Sequence, residues 1–205
     1  LLITLDRFSL NEPLKQSGES LALTTLVLPR PGIQRKTSLR PFRLQKGKAS
    51  LARKPFYERA LLKEKVDGRF GLTVQLTRPV KHAELQTWLR SIAGLGLEAA
   101  GDLLAGGLRM SALRPLLREP FDALADELTD DTPEFVLQGG VDLDSDTLSQ
   151  SKGADTLTVR LQLTERIRKS DLPPGPKSRD KRRTSSKTYK KGLTVGEAVF
   201  ALEMH

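Results

Sequence analysis

A chain of 205 residues with 38% hydrophobic and 29% charged residues is long enough for one domain, or one domain with a large insertion, built around an ordinary core. It has no cysteine, which excludes disulfides, thiol nucleophiles and cysteine-ligated zinc or iron–sulfur sites. No apolar run approaches the length of a membrane-spanning helix, and the opening residues lack a charged-then-apolar leader pattern. A soluble protein is expected, with its compartment open. Leu1 stands where a Met would begin a full chain, so a fragment of something longer is compatible with the sequence.

The net charge of +9 is unevenly placed. Residues 30–65 hold 12 Lys/Arg against two Glu, whereas residues 81–165 hold seven basic and 15 acidic residues. From Arg166 onward there are 11 basic and four acidic residues. The chain is therefore bipolar, and such asymmetry can steer association with a charged partner.

Taken in order, residues 1–10 open as a strand with Ile3, Leu5 and Phe8 toward a core, and Asn11-Glu12-Pro13 turns the chain. Residues 21–28 and 37–44 follow as strands, the second holding Pro41, which suits a sheet edge or a bulge. Residues 45–54 read as a basic loop, and 57–66 as a strand or short helix. Asp67-Gly68 predicts a hairpin turn into the clearest strand of the chain. There Phe70, Leu72, Val74 and Leu76 alternate with Gly71, Thr73, Gln75 and Thr77.

Residues 79–131 break the strand pattern. Leu85, Trp88, Leu89, Ile92, Leu95, Ala99 and Leu103 recur at three- and four-residue steps, one face of a helix that Gly106-Gly107 ends. Leu113, Leu116, Leu117, Phe121, Leu124 and Leu128 form a second periodic run, in which Pro115 and Pro120 favour a start or a kink over one straight helix. A helical hairpin at about 82–129 is predicted. Strand alternation returns at Phe135, Leu137, Val141 and Leu143, with a bulge expected at Gly139-Gly140. It continues at Leu157, Val159, Leu161 and Leu163, and closes at Val195, Ala198, Phe200 and Leu202. Between these lies the basic segment 169–191, predicted to be a flexible loop inserted between two paired strands.

Seven or eight mostly antiparallel strands predict a single-domain, two-sheet β-sandwich with one helical insertion. Their spacing loosely resembles that of C2-like sandwiches, without a motif specific to them.

The candidate sites are few. Asp142, Asp144 and Asp146, with Asp155 nearby, supply the hard oxygens that calcium requires. Thr147 stands where a calcium loop needs its glycine and Gly153 where it needs its glutamate, so a solvated strand end is the stronger expectation. Lys181, Arg182, Arg183, Lys187, Lys190 and Lys191 could bind anions, nucleic acid or anionic lipid, with Tyr189 as the one ring there for base stacking. His82, His205 and the pair Asp130-Asp131 fit no catalytic pattern, no phosphate-cradling glycine loop is present, and no cofactor is called for. The hairpin, through Trp88, Leu95, Leu103 and Leu116, is either a lid on the sheet or a contact with another chain or larger assembly. A non-catalytic β-sandwich interaction or assembly module is the expected function, with a C2-like module for anionic membrane lipid as the alternative. A carboxylate enzyme comes third.

Overall fold

The computed structural model describes residues 1–28, 34–94, 134–150, 155–168 and 188–204. Its strands are β1 (Leu2–Leu10), β2 (Gly18–Leu28), β3 (Gln34–Leu44), β4 (Lys48–Ser50), β5 (Ala60–Lys63), β6 (Arg69–Thr77), β7 (Phe135–Asp144), β8 (Asp155–Leu163), β9 (Ile167–Arg168), β10 (Thr188–Tyr189) and β11 (Thr194–Glu203). Its helices are α1 (Phe56–Arg59), α2 (His82–Gly94) and α3 (Ser145–Ser149). Nine strands form one antiparallel sheet along the path β3-β2-β6-β7-β8-β11-β1-β4, with β5 also paired to β1. A short separate ladder joins β9 to β10.

The two ends of this path meet. β3 passes into β4 through the turn Lys46-Gly47, bridged by Gln45 and Lys48. Lys46 and Gly47 stand at φ of 50° and 76°, the left-handed backbone of tight hairpin turns whose twist matches the strands they join. Arg40 on β3 reaches across the same seam to donate to the Ala60 carbonyl of β5. Phe8 of β1 stacks on Phe42 of β3 with centroids 4.5 Å apart. The sheet is nearly closed, and one face of almost every strand turns inward.

Period-two alternation does the filling. Phe70, Leu72, Val74 and Leu76 of β6 meet Ala22, Leu26 and Leu28 of β2, Ile3, Leu5, Phe8 and Leu10 of β1, and Val195, Ala198, Phe200 and Leu202 of β11 in the main core. β2 is buried on both faces. Its outward Leu21 and Leu23, with Leu39 of β3, lie beneath Leu85 and Trp88 of α2, and Val80 completes this second cluster. A 13-residue helix is marginal alone in water, so this packing is what holds α2 in place. Glu19 clamps its entry: its backbone exchanges hydrogen bonds with Val80, and its carboxylate lies 2.8 Å from Nδ1 of His82.

Several expectations change on contact with the fold. The strands pair along one continuous path rather than as two separately laddered sheets, because the β3–β4 turn links its ends. Asp67-Gly68 turns the chain, but not into a hairpin, since β5 pairs with β1 while β6 pairs with β2 and β7. The loop expected at 45–54 contains β4, and 57–66 holds both alternatives in succession, α1 and then β5. Gly139-Gly140 is not a bulge: both residues keep register with β6, and the irregularity lies nearer the start of β7, where Leu76 pairs with Leu137 and Thr77 with Phe135. Gly139 is needed for a different reason, because a Cβ there would run into the Arg160 carbonyl and the Val159 side chain of β8. Pro41 fits an edge. The Leu21 amide opposite it is directed to Thr77 Oγ1 on β6, so the missing donor of Pro41 faces the seam. β8 and β11 pair across the basic segment, as expected of an insertion. The rest of the predicted hairpin, with Leu95 and Leu103 of its first periodic run and Leu116 of its second, lies outside the described residues.

The close approach at Gly139 sets it apart from Gly71 on the adjacent strand β6. Gly139→Ala should lower stability by about 1–3 kcal/mol, because backbone of β8 must yield to it. Gly71→Ala, whose Cβ would meet only ordinary contacts, should be neutral to within about 1 kcal/mol. Urea denaturation of both variants checks the contrast.

Candidate functional site

The sheet departs from its regular path at β1. Leu5 pairs with Phe200 and Arg7 with Val199, so Asp6 between them is an unpaired bulge residue on the β11 side. On the other side of β1 the partner strand comes in two halves, β4 against Arg7, Phe8 and Ser9, and β5 against Leu2, Ile3 and Thr4. Residues 51–59 leave the wall between these halves and return to it.

That excursion is stitched to the bulge. The Asp6 carbonyl accepts hydrogen bonds from the amides of Leu51 at 2.7 Å and Ala52 at 3.1 Å. The Lys54 amide closes a turn on the Leu51 carbonyl at 2.8 Å. Pro55, which has no amide hydrogen to leave unsatisfied, begins the single turn of α1. At the far shoulder Arg59 donates to the Ala52 carbonyl at 2.7 Å and stands 3.6 Å from Asp6 Oδ1. That last separation exceeds a hydrogen bond, so the carboxylate steadies Arg59 through charge rather than a shared proton.

Ala52, Arg53, Lys54, Pro55 and Phe56 all face solvent on this platform. Phe56 is 57% exposed, and the other large exposed hydrophobic among the described residues is Leu193 at 42%. Burying a Phe side chain is worth roughly 1.5–3 kcal/mol, most of which the folded chain forgoes at this position. Nearby, Lys48 and Ser50 point outward from β4 on either side of the buried Ala49, and Arg43 and Lys46 are exposed on the adjoining hairpin. Arg40 belongs apart from these cations. It is turned inward on the seam, and burial pushes its guanidinium below its ordinary pKa, although it remains charged at neutral pH.

The residues singled out from the sequence fare differently. Asp142 is exposed on β7 opposite Gly71. Asp144 caps α3, accepting from the Asp146 amide at 2.9 Å, with Arg69 at 4.0 Å from its other oxygen. Ser145 opens this short helix rather than a loop, and its buried hydroxyl accepts from the Gly68 amide at 2.8 Å. Among the described residues no three His, Asp or Glu side chains gather closely enough to hold a metal ion. Tyr189 is no stacking platform: it is 8% exposed, paired with Ile167, and part of the main core. Lys190 and Lys191 are exposed just before β11, whereas Lys181, Arg182, Arg183, Lys187, Asp130, Asp131 and His205 lie outside the described residues. Trp88, 6% exposed, packs on the chain's own sheet as a lid residue would. The sequence presents 51–54 as the end of a basic loop and 57–59 as the start of a strand or short helix, without a site. The signal was there in Arg53-Lys54-Pro55-Phe56, an aromatic set among charges where alternation lapses.

If Arg59 and Asp6 hold the excursion as described, Arg59→Ala should raise amide hydrogen exchange at Arg53, Lys54 and Phe56 by at least several-fold. Leu51 and Ala52, both bonded to the Asp6 backbone carbonyl, should change less, and exchange in β6 should stay as it was. Mass spectrometry of peptic fragments checks this. No family model matches the chain, and no characterised protein or solved structure shows significant similarity to it.

Proposed function

We propose that this chain is a non-catalytic interaction module whose β body presents a basic face to a negatively charged partner. The observation that carries the reading is how the charged segments are distributed around the sheet. β3, its turn, β4, the excursion and β5 come from the strongly basic stretch, and all lie at the one seam where the ends of the sheet meet. The acidic β7 lies on the far side of the path, three places from β3 and four from β4. Among the described residues the basic strands and the acidic β7 thus occupy different parts of the path, and opposed charges orient an approaching anion and raise its encounter rate.

The finer architecture belongs to the same reading. In it the nearly closed sheet is layered like a sandwich, and α2 is the first part of the helical hairpin expected at 82–129, whose remainder lies outside the described residues. In this arrangement α2 is a lid, and a contact of the hairpin with another protein would fall to Leu95, Leu103 and Leu116 rather than to Trp88. His82 with Glu19, Asp144 with the α3 amide, and Asp6 with Arg59 have structural tasks that explain their presence without chemistry.

Three anionic probes test the reading: vesicles containing phosphatidylserine, a single-stranded oligonucleotide, and an acidic polypeptide. The chain should bind at least one of them at low salt, with affinity falling steeply as salt rises. The combined variant Lys46→Glu, Lys48→Glu, Arg53→Glu and Lys54→Glu should lose that binding while keeping its melting temperature. Absence of binding to all three probes at low salt overturns the proposal.

A further inference from the structure

We infer that the 51–59 excursion is a membrane-docking tip, with Phe56 entering the interfacial zone of an anionic bilayer while Arg53 and Lys54 meet its headgroups. This rests on the basic face being a docking surface and names its partner. Three observations converge on one short segment. It leaves the sheet between two half-strands, so it stands out from the wall instead of lining a groove. It is held by backbone hydrogen bonds and by Arg59, so its apolar ring is displayed on a fixed support. Its exposed residues combine a 57% exposed aromatic with adjacent cations.

A bilayer surface is the partner that uses all three. Its anionic headgroups attract Lys and Arg, and its acyl boundary accepts an apolar side chain a few ångströms below them. Single-stranded nucleic acid would use the cations, but it favours a groove lined by several stacking rings, and Tyr189, the ring that the other basic segment offers, is buried in the core. An acidic protein would need an apolar hollow shaped to Phe56, a demand that a fluid interface does not make. Lys46 and Lys48, exposed on the adjoining hairpin, extend the charged surface beside the tip and strengthen its electrostatic component.

Co-sedimentation of the full chain with phosphatidylcholine vesicles, with and without phosphatidylserine, tests the assignment. The wild-type chain should bind only the vesicles containing phosphatidylserine. Phe56→Ser should weaken that binding by about tenfold, leaving its salt dependence unchanged, because an uncharged contact has been removed. Arg53→Glu with Lys54→Glu should weaken it by more than about fivefold per position at low salt and flatten the salt dependence. Leu193→Ser, at the other exposed hydrophobic, should bind like wild type. Phe56 is at the surface, so its variant should melt with the wild type, and circular dichroism confirms that it is folded. Vesicle binding that Phe56→Ser leaves intact overturns the tip while sparing the basic face. Binding to the oligonucleotide or the acidic polypeptide without vesicle binding overturns the membrane assignment alone, and failure with every anionic probe overturns both.

Discussion

The closing of the sheet on itself is the constraint from which the other features descend. An open antiparallel sheet ends in two strands whose backbone donors and acceptors lack partners on one side. Here the terminal strands of the path are consecutive in sequence and joined by the Lys46-Gly47 turn, so each edge is turned toward the other. The Leu10 amide donates to the Gly47 carbonyl at 2.7 Å and the Gly47 amide to the Gln16 carbonyl at 2.7 Å, locking the turn against the chain before it. A side chain in place of Gly47 would meet the Leu10 carbonyl and face a left-handed backbone as well. Closure then gives the alternating residues an interior to occupy.

The same constraint creates the excursion. β1 has a continuous partner in β11, yet its opposite side is shared between β4 and β5. The bulge at Asp6 lies between those halves, and a bulge increases local twist and takes a backbone group out of the ladder. The Asp6 carbonyl meets this demand by binding the amides of Leu51 and Ala52. The irregularity in one strand is thus complemented by the irregularity in its partner. A regular strand in either place would have left no platform for Phe56.

Electrostatics adds function to this geometry without adding much stability. The ion pairs of the described residues are largely solvated, as Arg7 with Glu197 at 3.8 Å and Arg69 with Asp144 at 4.0 Å illustrate, and exposed pairs of this kind contribute about 0–1 kcal/mol each. Burial in two apolar clusters and the strand ladders carry the fold. Arg43, Lys46, Lys48 and Arg53 are exposed at the seam, whereas Arg40 turns inward to join β3 to β5 and Arg59 holds the excursion.

The amino-acid order by itself determined where the long strands form and which of their faces are apolar. Phe70, Leu72, Val74 and Leu76, or Val159, Leu161 and Leu163, can bury one side of an extended chain at a spacing that no helix shares. It also determined the helix at His82–Gly94, from Leu85 and Trp88 at three residues apart, and the separation of basic from acidic segments. Only the tertiary structure decided which strands are neighbours. Asp67-Gly68 has the composition of a hairpin turn, yet the strands on either side of it go to different partners, because pairing depends on contacts between residues far apart in the chain. Tyr189 and Phe56 show the same division for the site. Both are aromatic residues among Lys and Arg in the sequence, but the first is drawn into the core by its pairing with Ile167, while the bulge at Asp6 holds the second out in water. Exposure is a property of what surrounds a residue in space, and a basic neighbourhood in sequence does not by itself separate these two rings.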